Sequence, residues 1–199
     1  MRTVKSDSAG LDEAARILLS GGVVIIPTDT VYGLAAHPGF PEAVERLYTI
    51  KGRDLRKPIA VLASGRDAVE SFLGAELPGR AASLAGEFWP GALTMVLPGA
   101  GGATEGVRVP AHGWTRRLID ACGGVLRVTS ANLSGCMPAT DAAGALASIG
   151  LDADLLVDDG VSPGGVASTV VAIGADGSER LLRAGAVKLQ DPKEFIAIC

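Results

Sequence analysis

The stretch Val23-Val24-Ile25-Ile26-Pro27-Thr28-Asp29-Thr30-Val31-Tyr32-Gly33 decides the fold. Four β-branched apolar residues in a row, bounded by a proline, predict a short buried strand. Just upstream, Leu11–Leu19 sets Leu11, Ala14, Ala15, Leu18 and Leu19 on one face of a helix, and Gly21-Gly22 stops it. After the strand come two threonine hydroxyls, a carboxylate and a phenol. Polar loops at strand ends are where open α/β sheets keep their ligands. The same residues would equally serve as a turn in which Thr and Asp bond their own backbone.

Working outward, Pro41 opens a second helix with Val44, Leu47 and Tyr48 on one side, and Ile59–Leu62 reads as a strand. Ser64 with Asp67 predicts a capping box for a helix holding Ala68, Val69, Phe72 and Leu73. A helix over Arg80–Phe88 leads into a strand at Leu93–Leu97, Val107–Pro110 is extended, and Thr115–Cys122 is helical. Strand Val125–Thr129, helix Asp141–Ile149, and strands at Asp154–Val157, Ser168–Ile173 and Arg180–Arg183 follow, with a short final helix at Pro192–Ile198. Interleaved strands and helices predict an α/β fold in three layers: a mixed, twisted sheet flanked by helices. No linker divides the chain, so one domain over 1–199 is expected.

The chain has 199 residues, 48% apolar, 20% charged and only 4% aromatic. Its 27 glycines are near twice the usual share of about 7%. Such an excess marks backbone in unusual conformations, or backbone that a ligand must approach closely. This composition excludes a disordered, collagen-like or coiled-coil chain. No run approaches the roughly 18 apolar residues of a membrane span, and the polar N-terminus lacks the layout of a signal peptide. Cys122, Cys136 and Cys199 show neither paired nor metal-ligand spacing, which predicts free thiols in a reducing cytoplasm. A net charge of −4 disfavours broad non-specific nucleic-acid binding and leaves room for a local basic pocket.

Four loops carry chemistry. The first is 27–33. The second, Lys51-Gly52-Arg53-Asp54-Leu55-Arg56-Lys57-Pro58, holds four cations. Read as non-helical chain, Lys51 and Arg53 point the same way and form an anion site; the alternative is a solvated helix end whose cations face the negative dipole. The third, Thr129-Ser130-Ala131-Asn132-Leu133-Ser134-Gly135, follows a strand and offers small donors, acceptors and a turn suited to an anion nest. The fourth, 158–170, is rich in Gly, Ser and Pro and reads as a lid; Asp158-Asp159 is either a polar turn or a Mg²⁺ ligand pair. His37 and His112, the only histidines, support neither a serine hydrolase nor a metal site; each reads as a surface or capping residue. Neither the P-loop nor the GxGxxG pattern occurs.

The segments PTDTVYGL (27–34), KGRDLRKP (51–58), WPGALT (89–94), VRVP (107–110), TSANLSG (129–135), GGVASTVV (164–171) and LLRAGAV (181–187) occur in this order. Together they resemble the YrdC-like family of threonylcarbamoyl-AMP synthases, in its short single-domain form. The resemblance implies a concave, basic site that joins L-threonine, bicarbonate and ATP into L-threonylcarbamoyl-AMP and pyrophosphate, with Mg²⁺ accompanying ATP and no metal site in the protein. The adenylate would feed the t⁶A modification at position 37 of tRNA through downstream transfer proteins, with weak tRNA binding a further expectation.

By position, Lys51, Arg53, Ser130 and Asn132 match the family's KxR…SxN tetrad and become the catalytic candidates. Arg53, Lys57, Thr104, Ser130 and Arg183 match ATP contacts, and Pro138 falls on that surface. Thr30, Arg108, Ser168 and the backbone at Val128 match threonine contacts, with Thr28 and Tyr32 in the same loop. Four residues depart from the pattern: Leu62 where some members have His, Pro138 where a Ser often sits, Ala184 for a Pro, and Asp54 for a Pro. Two other readings stand beside this one: a paralogue making a different carbamoyl-adenylate, and an RNA-binding module.

Overall fold

In the computed structural model, residues 1–99, 102–150 and 152–189 are described. The expected helix at Pro192–Ile198, together with Gly101 and Cys199, lies outside them. In chain order the elements are β1 (Arg2–Lys5), α1 (Ser8–Leu18), β2 (Val23–Ile26), β3 (Gly33–Ala36), α2 (Pro41–Lys51), β4 (Val61–Ala63), α3 (Arg66–Leu73) and α4 (Gly79–Phe88). There follow β5 (Leu93–Pro98), β6 (Thr104–Arg108), α5 (Gly113–Ala121), β7 (Val125–Ser130), α6 (Ala142–Ile149), β8 (Leu155–Asp158), β9 (Thr169–Ile173) and β10 (Glu179–Arg183). The ten strands form one mixed sheet in the order β1-β8-β2-β3-β7-β4-β6-β5-β9-β10.

The helix ends have local causes. Asp7 caps α1 by accepting from Gly10 N, Asp141 caps α6 by accepting from Gly144 N, and His112 caps α5 by accepting from Thr115 N. Pro41 opens α2, and Gly52 closes it in the left-handed conformation at φ 57°. The expected Ser64 capping box is corrected. The N-cap of α3 is Gly65, without a side-chain bond, and the Ser64 carbonyl instead accepts from Arg116 Nε.

Strand β2 is buried along its whole length because both its faces are covered. Val24 and Ile26 pack with Ala14 and Leu18 of α1 and Leu118 and Ile119 of α5. Val23 and Ile25 face Ala43 and Leu47 of α2 and Ala145 and Ile149 of α6. A third cluster sets α3 and α4 against one face of β5, β6 and β9, through Leu93, Met95, Leu97, Val107 and Val171. The alternating residues of those strands, Thr94, Val96, Gly106, Arg108 and Val170, line a cavity on the opposite face. That half-covered region of the sheet is where the polar loops converge.

Candidate active site

The cavity measures about 540 Å³, within the range of small-molecule sites. Arg53, Arg56, Lys57, Arg108 and Arg183 line it, and among the described residues none that lines it is acidic. Twelve of the fourteen candidate residues named from the sequence reach its wall. They are Thr28, Thr30 and Tyr32 from the β2–β3 loop; Arg53 and Lys57 after α2; Thr104 and Arg108 on β6; Val128 and Ser130 on β7; Pro138; Ser168 before β9; and Arg183 on β10. Leu62 lines it as well. Lys51 and Asn132 do not.

Arg108 is the most firmly held cation of the wall. Its Nη2 donates to Asp29 Oδ1 at 2.6 Å, Nη1 to Thr30 Oγ1 at 3.0 Å, and Nε to Gly91 O at 2.8 Å. Burial pulls the guanidinium below its ordinary pKa, and the adjacent Asp29 carboxylate opposes that. An arginine has five N–H groups, so two remain beyond these three bonds, the number that a forked pairing with a carboxylate uses. The turn that presents Thr30 is locally self-bonded: Thr28 Oγ1 donates to Val31 O at 2.6 Å and accepts from Thr30 N. The turn and ligand-loop readings of this stretch therefore coexist. Tyr32 is fully buried; its hydroxyl donates to Gly160 O and accepts from Asp159 N, tying the hairpin to the start of the 160–167 loop. Burial raises its pKa.

Elsewhere on the wall, Arg53 is held by the carbonyls of Lys57 and Pro58, at 2.8 and 3.1 Å. Arg183 donates to Ser168 O and Oγ. Burial lowers Arg183 below its usual value, and repulsion from Arg108 and then Arg53 lowers it further. Arg183 thus feels the guanidinium groups of both Arg108 and Arg53. A site of this kind attracts polyanions.

Lys51 is placed differently from the local expectation. It is the last residue of α2, not part of a non-helical run, and only after the turn at Gly52 does the chain reach Arg53. The two side chains diverge. Lys51, 2% exposed, turns behind the cavity wall and donates to the carbonyls of Ser130 and Asn132. Its own carbonyl accepts from Ser134 N. Burial, followed by the nearby charge of Arg53, lowers its pKa to about 8. Asn132 is also buried; its Nδ2 donates to Leu133 O and Cys136 O, while its Oδ1 has no partner among the described residues. These two residues brace the 130–136 loop from within.

The 160–167 loop is stitched down. Ser162 N donates to Thr140 O and Gly164 N to Asp29 O. A Cβ at Gly164 would lie 2.5 Å from that Asp29 oxygen, so only glycine permits the approach. The acid pair preceding the loop forms a bonded turn: Asp158 pairs with Lys5 at 2.6 Å, and Asp159 bonds Ser6 and, at 2.9 Å, His112.

Sequence reading missed two residues of this site. Asp29 lay inside a quoted loop but carried no role, and Thr94, buried in the wall, bonds Ser168 Oγ at 2.8 Å. Their partners lie 79 and 74 residues away, a separation that no local pattern reports.

The fold and cavity define a mixed-sheet α/β protein with a cationic ligand site. Residues 16–185 match the family model Sua5_yciO_yrdC, described as "Telomere recombination". The chain belongs to this Sua5–YciO–YrdC family. It is 34% identical over 192 residues to the threonylcarbamoyl-AMP synthase of Pyrococcus abyssi, covering 92% of this chain and 56% of that protein. The threonylcarbamoyl-AMP synthase of Alkalilimnicola ehrlichii is 39% identical over 163 residues, 77% of this chain and 83% of that one. The crystal structure of P. abyssi Sua5 complexed with L-threonine superposes with a TM-score of 0.84 at 32% identity, covering 92% of this chain and 57% of that chain. The chain thus spans little more than half the length of the Pyrococcus relative.

Proposed function

We propose that the chain is an L-threonylcarbamoyladenylate synthase, a nucleotidyltransferase that makes L-threonylcarbamoyl-AMP and pyrophosphate from L-threonine, bicarbonate and ATP. The carrying observation is that one cavity is lined both by a buried arginine, Arg108, aimed by Asp29, and by the further cations Arg53, Lys57 and Arg183. The first suits an amino-acid carboxylate, the second a triphosphate. The threonine complex of a relative supports the first assignment, and the names of the relatives support the product.

In the reaction, the threonine amine nitrogen forms a bond to the bicarbonate carbon, and water leaves. A carbamate oxygen then bonds to the α-phosphorus of ATP, and the bond from that phosphorus to the β-phosphate bridging oxygen breaks. Pyrophosphate departs with the electron pair. No side chain needs to become covalently attached, so positioning and charge neutralisation carry catalysis. Arg108, Thr30 and Ser168 hold the amino acid. Arg53, Lys57, Ser130 and Arg183 hold the phosphates, and the Lys51–Asn132 brace fixes the loop that presents Ser130. Among the described residues no carboxylate lines the cavity, so Mg²⁺ is read as arriving with the ATP substrate, where it would share the neutralisation of the triphosphate. The adenylate is hydrolysable, so its use in the t⁶A modification of tRNA calls for proteins that accept it directly. A cytoplasmic site of action follows from that use. No helix among the described residues is long and apolar enough to cross a membrane.

The test is pyrophosphate release from ATP by the purified protein. Release that requires both L-threonine and bicarbonate, and is lost in Arg108→Ala, supports the proposal. Threonine-independent turnover would favour a paralogue acting on another amine, and no turnover with salt-sensitive RNA binding would favour an RNA-binding module.

A further inference from the structure

We propose that His112, which does not line the cavity, is a positioning residue for the amino-acid substrate. Through Asp159 it fixes the foot of the 160–167 loop, and through that loop the Asp29 that aims Arg108. The inference rests on the synthase reading above.

Two tethers meet at this histidine. Its Nδ1 accepts from Thr115 N at 3.3 Å, which caps α5, and its Nε2 lies 2.9 Å from Asp159 Oδ2. A carboxylate only accepts, so Nε2 is the donor. The histidine side chain is 14% exposed and that of Asp159 39%, so the bond is shielded mainly on the histidine side. Thr115 is fully buried; its Oγ1 stands 2.9 Å from Nδ1 and donates to Pro27 O at 2.6 Å. Capping the helix uses Nδ1 alone. The second nitrogen reaches a residue 47 positions along the chain, where β8 passes into the 160–167 loop.

These contacts close a circuit. From Pro27 the chain runs to Asp29, whose carbonyl accepts from Gly164 N at 3.1 Å. The loop leads back from Gly164 to Asp159, the Asp159–His112 bond crosses to the start of α5, and the Thr115 hydroxyl returns to Pro27. Arg108 spans the ring: it precedes His112 by four residues and donates to Asp29 Oδ1 at 2.6 Å. Opening one link gives the other members conformational freedom, and a ligand that needs them ordered must supply that entropy from its own binding. Two further ties hold the foot. Asp159 N donates to Tyr32 OH at 3.0 Å, and Ser6 Oγ donates to Asp159 Oδ1. Losing the His112 link therefore loosens Asp29 without releasing the loop, and the effect on substrate binding is graded.

The experiment uses two variants that divide the ring nitrogens between them. Asparagine places an acceptor near the Nδ1 position and is a strong N-cap, but is too short for Asp159. Glutamine places a donor near the Nε2 position and gives up the cap. The readouts are the L-threonine Kd by calorimetry, the melting temperature, and exchange of the Gly164 amide. His112→Asn should keep a melting temperature close to that of wild type and speed Gly164 exchange. It should also raise the threonine Kd about three- to tenfold, the scale for a residue acting through others. His112→Gln should lower the melting temperature and keep the threonine Kd within about twofold of wild type. The KM for ATP in pyrophosphate release should stay within about twofold in both. Adding His112→Asn to Asp159→Ala should change the threonine Kd no further. Unchanged threonine binding in His112→Asn overturns the inference. So does a Kd that follows melting temperature across the two variants, or an ATP constant that rises in step with the threonine Kd. Wild-type protein that binds L-threonine yet releases no pyrophosphate overturns the synthase reading, and the positioning role is then decided by the Kd and the amide exchange.

Discussion

Asp29 and Arg108 form a buried ion pair, Oδ1 to Nη2 at 2.6 Å, and Arg108 lines the cavity. Asp29 aims the guanidinium through its side chain, and its carbonyl accepts from Gly164 N, so the same residue anchors the 160–167 loop. Removing one partner of a buried pair leaves an uncompensated charge. Asp29→Ala should therefore cost about 3–5 kcal/mol of stability, read as a shift in the urea midpoint. Asp29→Asn, which keeps a hydrogen-bond acceptor, should cost clearly less.

Lys51 should titrate near pH 8, because burial disfavours its charged form. A ¹³C-labelled lysine spectrum would show one resonance moving near pH 8, and that resonance should be missing in Lys51→Met. A lysine bound less tightly to its proton when folded penalises the folded state below about pH 8. That penalty is relieved as pH rises from about 8 toward 10.4, and the resulting slope in stability should vanish in Lys51→Met. Since Lys51 acts through Ser130 and Asn132, Lys51→Ala should lower threonine-dependent pyrophosphate release by about 10²-fold. Near-normal release would show that the brace is dispensable.

The cysteines should separate by reactivity. Cys122 is buried and its thiol is pushed up to about 11, whereas Cys136 is exposed on the loop before Pro138. Thiolate is the reactive form. Peptide-resolved alkylation at pH 8 should label Cys136 in the native protein and reach Cys122 only on unfolding. Equal labelling of both would contradict the packing of α5 against β7.

Gly164→Ala should push the 160–167 loop away from the β2–β3 loop, since the new Cβ would meet the Asp29 carbonyl at 2.5 Å. Overpacking of this sort costs roughly 1–3 kcal/mol. Weaker threonine binding by calorimetry, alongside a lower melting temperature, is the expected result. Gly160→Ala, where nothing lies within 4 Å, controls for backbone strain alone at its φ of +74°.

How much of this was legible in the sequence follows from where the determinants lie. Strand β2 announces itself because burial on both faces demands an unbroken apolar run. Strand β1 (Arg2–Lys5) is mostly exposed and β3 (Gly33–Ala36) is built from small residues, so neither shows a strand pattern. The order of motifs placed twelve candidate residues around one cavity, because the motifs fall on β6, β7 and β10 and on the loops that flank β2, β4 and β9. Lys51 misled local reading: Gly52 marks a helix end, but the direction of the preceding side chain depends on the 130–136 loop it packs against. Asp29 and Thr94 were silent for a related reason, since each acts on a partner far along the chain.

The most direct test of the central claim is capture of ¹⁴C from labelled bicarbonate by the purified protein with ATP, with and without L-threonine. The account predicts a labelled adenylate, formed with equimolar pyrophosphate, only when threonine is present. Label incorporated without threonine, or pyrophosphate released with no label in the adenylate, would contradict it.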